Sequence, residues 1–139
     1  MGTRSLTKVY DESGELLVTI YRQYDGYPSG MGVDIATVLD GRELVNGIPC
    51  GEGHVTVLNG MDEAAAVLVH GLKNPCPSGN VYIVAGTDHG EEYTYEVRST
   101  RTDRNDPGPL LITCIGGGEG IVFRDLTPAQ VIDQFVEFE

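Results

Sequence analysis

Two strand-like runs, Ser5 to Tyr10 and Leu16 to Arg22, flank the polar gap Asp11-Glu12-Ser13-Gly14-Glu15, and this pattern predicts an opening β-hairpin. In its second strand Leu16, Val18 and Ile20 are expected to face the core. Tyr21 then falls on the other face, with Arg22 at the strand end. After a Pro/Gly loop, Met31, Ile35, Val38 and Leu39 recur at the spacing of one helical face, and that helix is expected to stop near Asp40-Gly41. Between Arg42 and Leu58 the apolar residues are too few to set a period; Asn46-Gly47 and Asn59-Gly60 mark turns, the second closing a short strand from His54 to Leu58. Met61, Ala64, Ala65, Leu68 and Leu72 then form a clear helical stripe. Asp62 and Glu63 in its first turn and His70 and Lys73 in its last suit the helix dipole.

Pro75 and Pro77 end that helix, and Val81 to Ala85 reads as a buried strand. Glu92 to Ser99 alternates, with Tyr93, Tyr95 and Val97 on one side, as in a half-exposed antiparallel strand. Leu110 to Ile115 and Ile121 to Arg124 predict a second hairpin around Gly116-Gly117-Gly118. Thr127-Pro128-Ala129-Gln130 is the signature of a capped helix start, and Val131, Ile132, Phe135 and Val136 point its apolar side inward. Runs of strands and runs of helices, rather than strict alternation, indicate an α+β domain: a mainly antiparallel sheet with about three helices packed on it.

The length of 139 residues fits a single domain with one core, and 40% hydrophobic and 22% charged residues are ordinary for a globular chain. No apolar run approaches the roughly 18 residues that span a bilayer, and the first ten residues do not read as a secretory leader, so no membrane association is expected. Three irregularly spaced cysteines, Cys50, Cys76 and Cys114, fit a reducing cytoplasm better than a disulfide framework. Twenty-one acidic against nine basic side chains leave a net charge of −12, which repels phosphate backbones and argues against general nucleic-acid binding.

Candidate chemistry concentrates in two stretches. In YRQYDGYPSGMG, residues 21 to 32, Ser29 is placed to cap the following helix, and Gly30 and its neighbours then supply free backbone N–H groups of the kind that bind anions. Arg22 would pair with that anion while Tyr24 or Tyr27 stacks on a planar ring, with Gln23 and Asp25 beside them and Arg4 as a second cation; the ligand expected is a nucleotide-like small molecule. The competing reading is a tight strand-to-helix connection in which Arg22 pairs with Asp25 and the tyrosines cap the core. In the second stretch, Asp88, His89, Glu91 and Glu92 precede Tyr93 and Tyr95 at a turn. A carboxylate beside a histidine suits acid/base work or a metal, and a solvated acidic turn is the plainer account. No histidine pair or Cys-x-x-Cys stands at metal-ligand spacing, and the common nucleophile, Walker and dinucleotide motifs are missing, so neither a metal nor a cofactor is expected.

Thr3-Arg4-Ser5-Leu6-Thr7, then Tyr21-Arg22-Gln23-Tyr24-Asp25-Gly26-Tyr27-Pro28-Ser29-Gly30, with Asn46-Gly47-Ile48, Asn59-Gly60-Met61 and Glu92-Tyr93-x-Tyr95, resemble a family of small proteins of unassigned function from tailed phages and bacterial genomes. Glu91 stands where that family carries glutamine. The resemblance implies a phage or prophage context and the cytoplasm of a bacterial host, and no catalytic residues. In that context three functions are expected in descending order. The first is a non-enzymatic binding protein, a sponge for nucleotide-derived host defence signals, acting as a homo-oligomer that closes its pocket between subunits. The second is a small hydrolase or phosphodiesterase using Asp88, His89, Glu91 or Glu92, and Tyr93. The third is an acidic inhibitor that occupies a basic site on a host protein.

Overall fold

A computed structural model describes residues 2–45, 57–74, 79–85, 89–99, 109–116, 118 and 120–136. The chain is α+β, as its runs of strands and runs of helices indicate. Strands β1 (Ser5–Tyr10) and β2 (Leu16–Arg22) are followed by a π-helical turn at Pro28–Gly32, helix α1 (Val33–Leu39), short strands β3 (Glu43–Val45) and β4 (Val57–Asn59), and helix α2 (Gly60–Lys73). Strands β5 (Val81–Ile83), β6 (Tyr93–Ser99), β7 (Leu110–Gly116) and β8 (Gly120–Leu126) precede helix α3 (Pro128–Phe135). Six strands form one sheet in the order β5-β2-β1-β6-β7-β8, and β3 and β4 pair separately.

Four of the five pairings in the large sheet are antiparallel, and the fifth joins β1 to β6 in parallel, Ser5 opposite Tyr93 and Val9 opposite Val97. Strand β6 is half-exposed as its alternation predicts, with Tyr95 and Val97 fully buried and Glu96 and Arg98 partly exposed, but it is central, with an antiparallel neighbour in β7 and a parallel one in β1. Period-two alternation reports which face a residue takes. It is silent on the direction of the neighbouring strand. Two other expectations shift at the opposite edge. The run from Val81 is an edge strand with Tyr82 and Ile83 exposed, and because its bonds to β2 reach no further back than Thr19, the start of β2 is uncovered and Leu16 is 50% exposed. The readings at Asn46-Gly47, Cys50, His54, Pro75 to Pro77 and Asp88 lie outside the described residues.

The core gathers Val9, Ile20, Val97, Ile112 and Cys114 from the sheet, Met31, Ile35 and Leu39 from the first helical region, and Met61, Leu68 and Val131 from α2 and α3. All five residues of the α2 stripe are buried, and Thr127 and Gln130 form the capping box at α3. No helix among the described residues is long and apolar enough to cross a membrane.

Helix α2 starts without a side-chain N-cap from Asn59, and two glutamates take over its first turn. Glu63 accepts the backbone N–H of Asn59 at 2.8 Å. Glu12, from the β1–β2 turn 49 residues away, is buried and accepts the backbone N–H of Met61, also at 2.8 Å. A carboxylate on unsatisfied helix donors gains from both the hydrogen bond and the dipole. Replacing Glu12 by Ala should lower stability by about 2 kcal/mol in urea unfolding, and Glu12→Gln by about 1, since the amide oxygen still accepts while the charge is lost.

Candidate functional site

Strand register brings the two polar stretches to one end of the sheet. Val81, Arg22, Ser5, Tyr93 and Gly116 lie in a single cross-strand row, so the segment before β1, the loop after β2 and the segment before β6 converge there. The backbone of Arg4 is gripped from both directions: its carbonyl accepts the N–H of Glu92 at 2.9 Å, and its N–H donates to the Glu92 carboxylate at 2.6 Å. The Arg4 guanidinium lies against Gly90, where a Cβ would sit 2.5 Å from one of its nitrogens. Gly26 of the loop donates to the carbonyl of Thr3 at 2.9 Å.

The 23–32 loop closes on itself. Gly30 N–H donates to Tyr27, Met31 N–H to Asp25 at 2.8 Å, and Val33 N–H to Pro28 and Gly30. Ser29 consequently sits inside the π-helical turn; the residue at the cap position is Tyr27, whose side chain makes no capping bond. The N–H groups of Gly30 and Met31 are occupied by the loop's own carbonyls, which removes them as a ready anion cradle. Gly30 is glycine because a Cβ there would lie 2.3 Å from the Asp25 carbonyl oxygen. Outside partners complete the anchoring: Gln23 and Tyr24 N–H groups donate to the backbone and side-chain oxygens of Asn80, and the buried Tyr95 hydroxyl donates to Gly26 at 2.6 Å. A loop whose backbone is this well satisfied holds its side chains in place.

Arg22 is a structural member of the loop, with a partner the sequence reading did not choose. Its Nη1 pairs with Asp34 of α1 at 2.5 Å and touches Met31 Sδ, while Nε donates to the Tyr24 carbonyl at 2.7 Å. The Arg22 side chain is 11% exposed and that of Asp34 49%. Asp25, in a left-handed conformation with φ 58°, accepts instead from the Tyr27 hydroxyl at 3.0 Å. Tyr24 and Tyr27 do not cap the core; they are 52% and 39% exposed. The Tyr24 ring rests against Gly2, where a Cβ would come within 2.2 Å of it. The side chain of Gln23 turns to the Tyr21 hydroxyl.

His89 is the other side chain brought to this end. Its Nε2 donates to the Ala85 carbonyl at 2.8 Å, its backbone N–H donates to the Glu91 carboxylate, and its ring lies 6.0 Å from that of Tyr21. Tyr93 is half-buried and packs on the core. Among the described residues no group of three or more His, Cys, Asp or Glu side chains is arranged to hold a metal ion.

Beneath the loop runs a buried polar row that periodicity alone did not reveal as such. The Ser5 and Thr7 hydroxyls are fully buried without a hydrogen-bond partner among the described residues. Thr7 is opposite Tyr95, and Tyr95 opposite Cys114. Burial raises the pKa of the Tyr95 phenol, aided by Cys114, and burial pushes the Cys114 thiol up to about 12 against a smaller lowering by its hydrogen bond with Tyr95. No protein-family model, curated protein or solved structure matches this chain.

Two outcomes follow for stability. Arg22→Ala should cost about 2 kcal/mol in a urea melt, because three contacts are lost while the half-exposed Asp34 regains water; Asp25→Asn should change it by no more than about 0.5 kcal/mol. The Cys114 effect has a definite sign: the unfolded thiol ionises near pH 9 and the folded one only near 12. Its contribution is complete below pH 9 and lost as pH rises above it, so the unfolding midpoint should fall across that window and fall less steeply in Cys114→Ala.

Proposed function

We propose that this protein is a non-enzymatic small-molecule binding protein whose site is the outward side of the 23–30 loop, flanked by Arg4 and the 89–93 segment. The observation that carries this reading is the exposure of Tyr24 and Tyr27 on a loop whose backbone is satisfied from within and from Thr3, Tyr95 and Asn80. Two aromatic side chains left at the surface of a tightly held loop offer stacking area at little entropic cost. Arg4 supplies positive charge at the same end in a chain whose net charge is −12. A planar ring carrying an anionic group, a nucleotide-like molecule, fits that combination.

The resemblance to small phage proteins supplies the biological setting: a sponge for nucleotide-derived defence signals, working in the cytoplasm of the bacterial host. An open surface of this kind buries a ligand better when a second copy closes over it, so a homo-oligomer belongs to the same proposal.

Calorimetry against cyclic dinucleotides, cyclic ADP-ribose isomers and common nucleotides is the direct test. Binding of at least one, weakened about tenfold or more by Tyr24→Ala or Tyr27→Ala with stability changed by less than about 1 kcal/mol, is the expected result. Recovery of the ligand unaltered after denaturation supports a sponge, and altered products overturn the non-enzymatic assignment. A monomeric mass by light scattering in the presence of ligand removes the oligomer.

A further inference from the structure

Arg22 and Asp34 face a groove of about 390 Å³ on the helical side of the sheet, apart from the exposed tyrosines. Its walls are Thr37 and Val38 of α1 and Leu72 of α2, with Asn80 where the chain enters β5. Helices α1 and α2 meet closely at its base: a Cβ on Gly71 would stand 2.7 Å from the Val38 side chain. The groove is mainly apolar apart from the ion pair, a volume and lining suited to one small ring system.

The ion pair is only half used by the protein. Arg22 engages its Nε and Nη1 atoms, and Asp34 its Oδ2; among the described residues Nη2 of Arg22 and Oδ1 of Asp34 make no hydrogen bond. The positive charge is matched by the carboxylate beside it, so an anion arriving here gains little from Arg22 and is repelled by Asp34. What the pair offers is a planar donor next to an acceptor. The complement is a neutral planar edge carrying a carbonyl next to an N–H. Thr37 adds acceptor capacity, because its hydroxyl hydrogen is already given to the Val33 carbonyl at 2.7 Å.

We propose that this groove is a second binding site, for a neutral planar amide-type group such as a carboxamide or lactam, held edge-on by Arg22 and Asp34 between Val38 and Leu72. Neither Tyr24 nor Tyr27 lines it, and its test separates the two.

Uracil and nicotinamide serve as neutral probes, with benzoate and inorganic phosphate as anions, titrated into isotope-labelled protein by NMR. Uracil or nicotinamide should give saturable shifts at Thr37, Val38, Leu72 and Val81 with a Kd of about 1 mM, at least about tenfold tighter than either anion. Asp34→Ala should weaken the neutral probe about tenfold. Thr37→Phe, at an exposed position of α1, should fill the groove and abolish the shifts with the ion pair intact. The Tyr24→Ala, Tyr27→Ala double variant should bind the probe unchanged, whatever it does to nucleotides. Absence of saturable shifts up to about 20 mM, anions that bind as tightly, or full affinity in folded Asp34→Ala or Thr37→Phe would overturn the proposal.

Discussion

The parallel pairing of β1 with β6 is the constraint on which the rest of the molecule depends. On either side of that seam the sheet consists of antiparallel units, β5-β2-β1 and β6-β7-β8; the hairpins β1-β2 and β7-β8 are local, whereas β5 returns to β2 only after α1 and α2. The chain leaves the end of β2 and re-enters at the start of β6 at the same end of the sheet, and between the two it lays α1 and α2 over one face. The register of the seam, Ser5 against Tyr93, also places Arg4 beside Glu92. One backbone ladder thus decides which polar groups meet at the sheet's end.

At that end the dominant requirement is to satisfy backbone groups at the mouth of the core. The 23–32 loop answers it with a π-helical turn, two bonds to Asn80, and carbonyls at Gly26 and Tyr24 that accept from Tyr95 and Arg22. π-Helical turns are uncommon and concentrate at functional sites. Here the turn leaves Tyr24 and Tyr27 outside while Arg22 is drawn inward to Asp34. Stacking chemistry and the arginine therefore belong to different surfaces, which is why the tyrosine face and the groove between the helices make separate functional claims.

The excess of negative charge sets a background for both. It disfavours polyanionic partners at long range, and it makes Arg4 a cation set in a predominantly acidic chain, beside the Glu92 carboxylate. In the groove the same logic runs the other way: with Asp34 against Arg22 the local charge cancels, and recognition rests on hydrogen-bond geometry and apolar walls.

Both hairpins, the stripe from Met61 to Leu72, and the Thr127–Gln130 capping box were legible in the residues because each depends on neighbours a few positions apart, where spacing is geometry. The sequence also located the loop and the His89 segment as polar concentrations. Their convergence was decided by the β1–β6 register. Alternation at Tyr93 to Val97 assigned faces and left strand direction open, and an edge strand looked the same as a buried one at Val81 to Ala85. Asp25, three residues from Arg22, was the nearest carboxylate by count, yet Asp34 is its partner because the π-turn swings α1 back against the end of β2. Glu12 read as part of a polar turn, and it also caps a helix 49 residues away. By itself the sequence determined most of the longer elements, the buried faces of β6, α2 and α3, and the α+β class, since these follow from local propensity and periodicity. Only the tertiary structure decided which strand lies beside which, which charges pair and which side chains remain outside, because those depend on distances that chain separation does not encode.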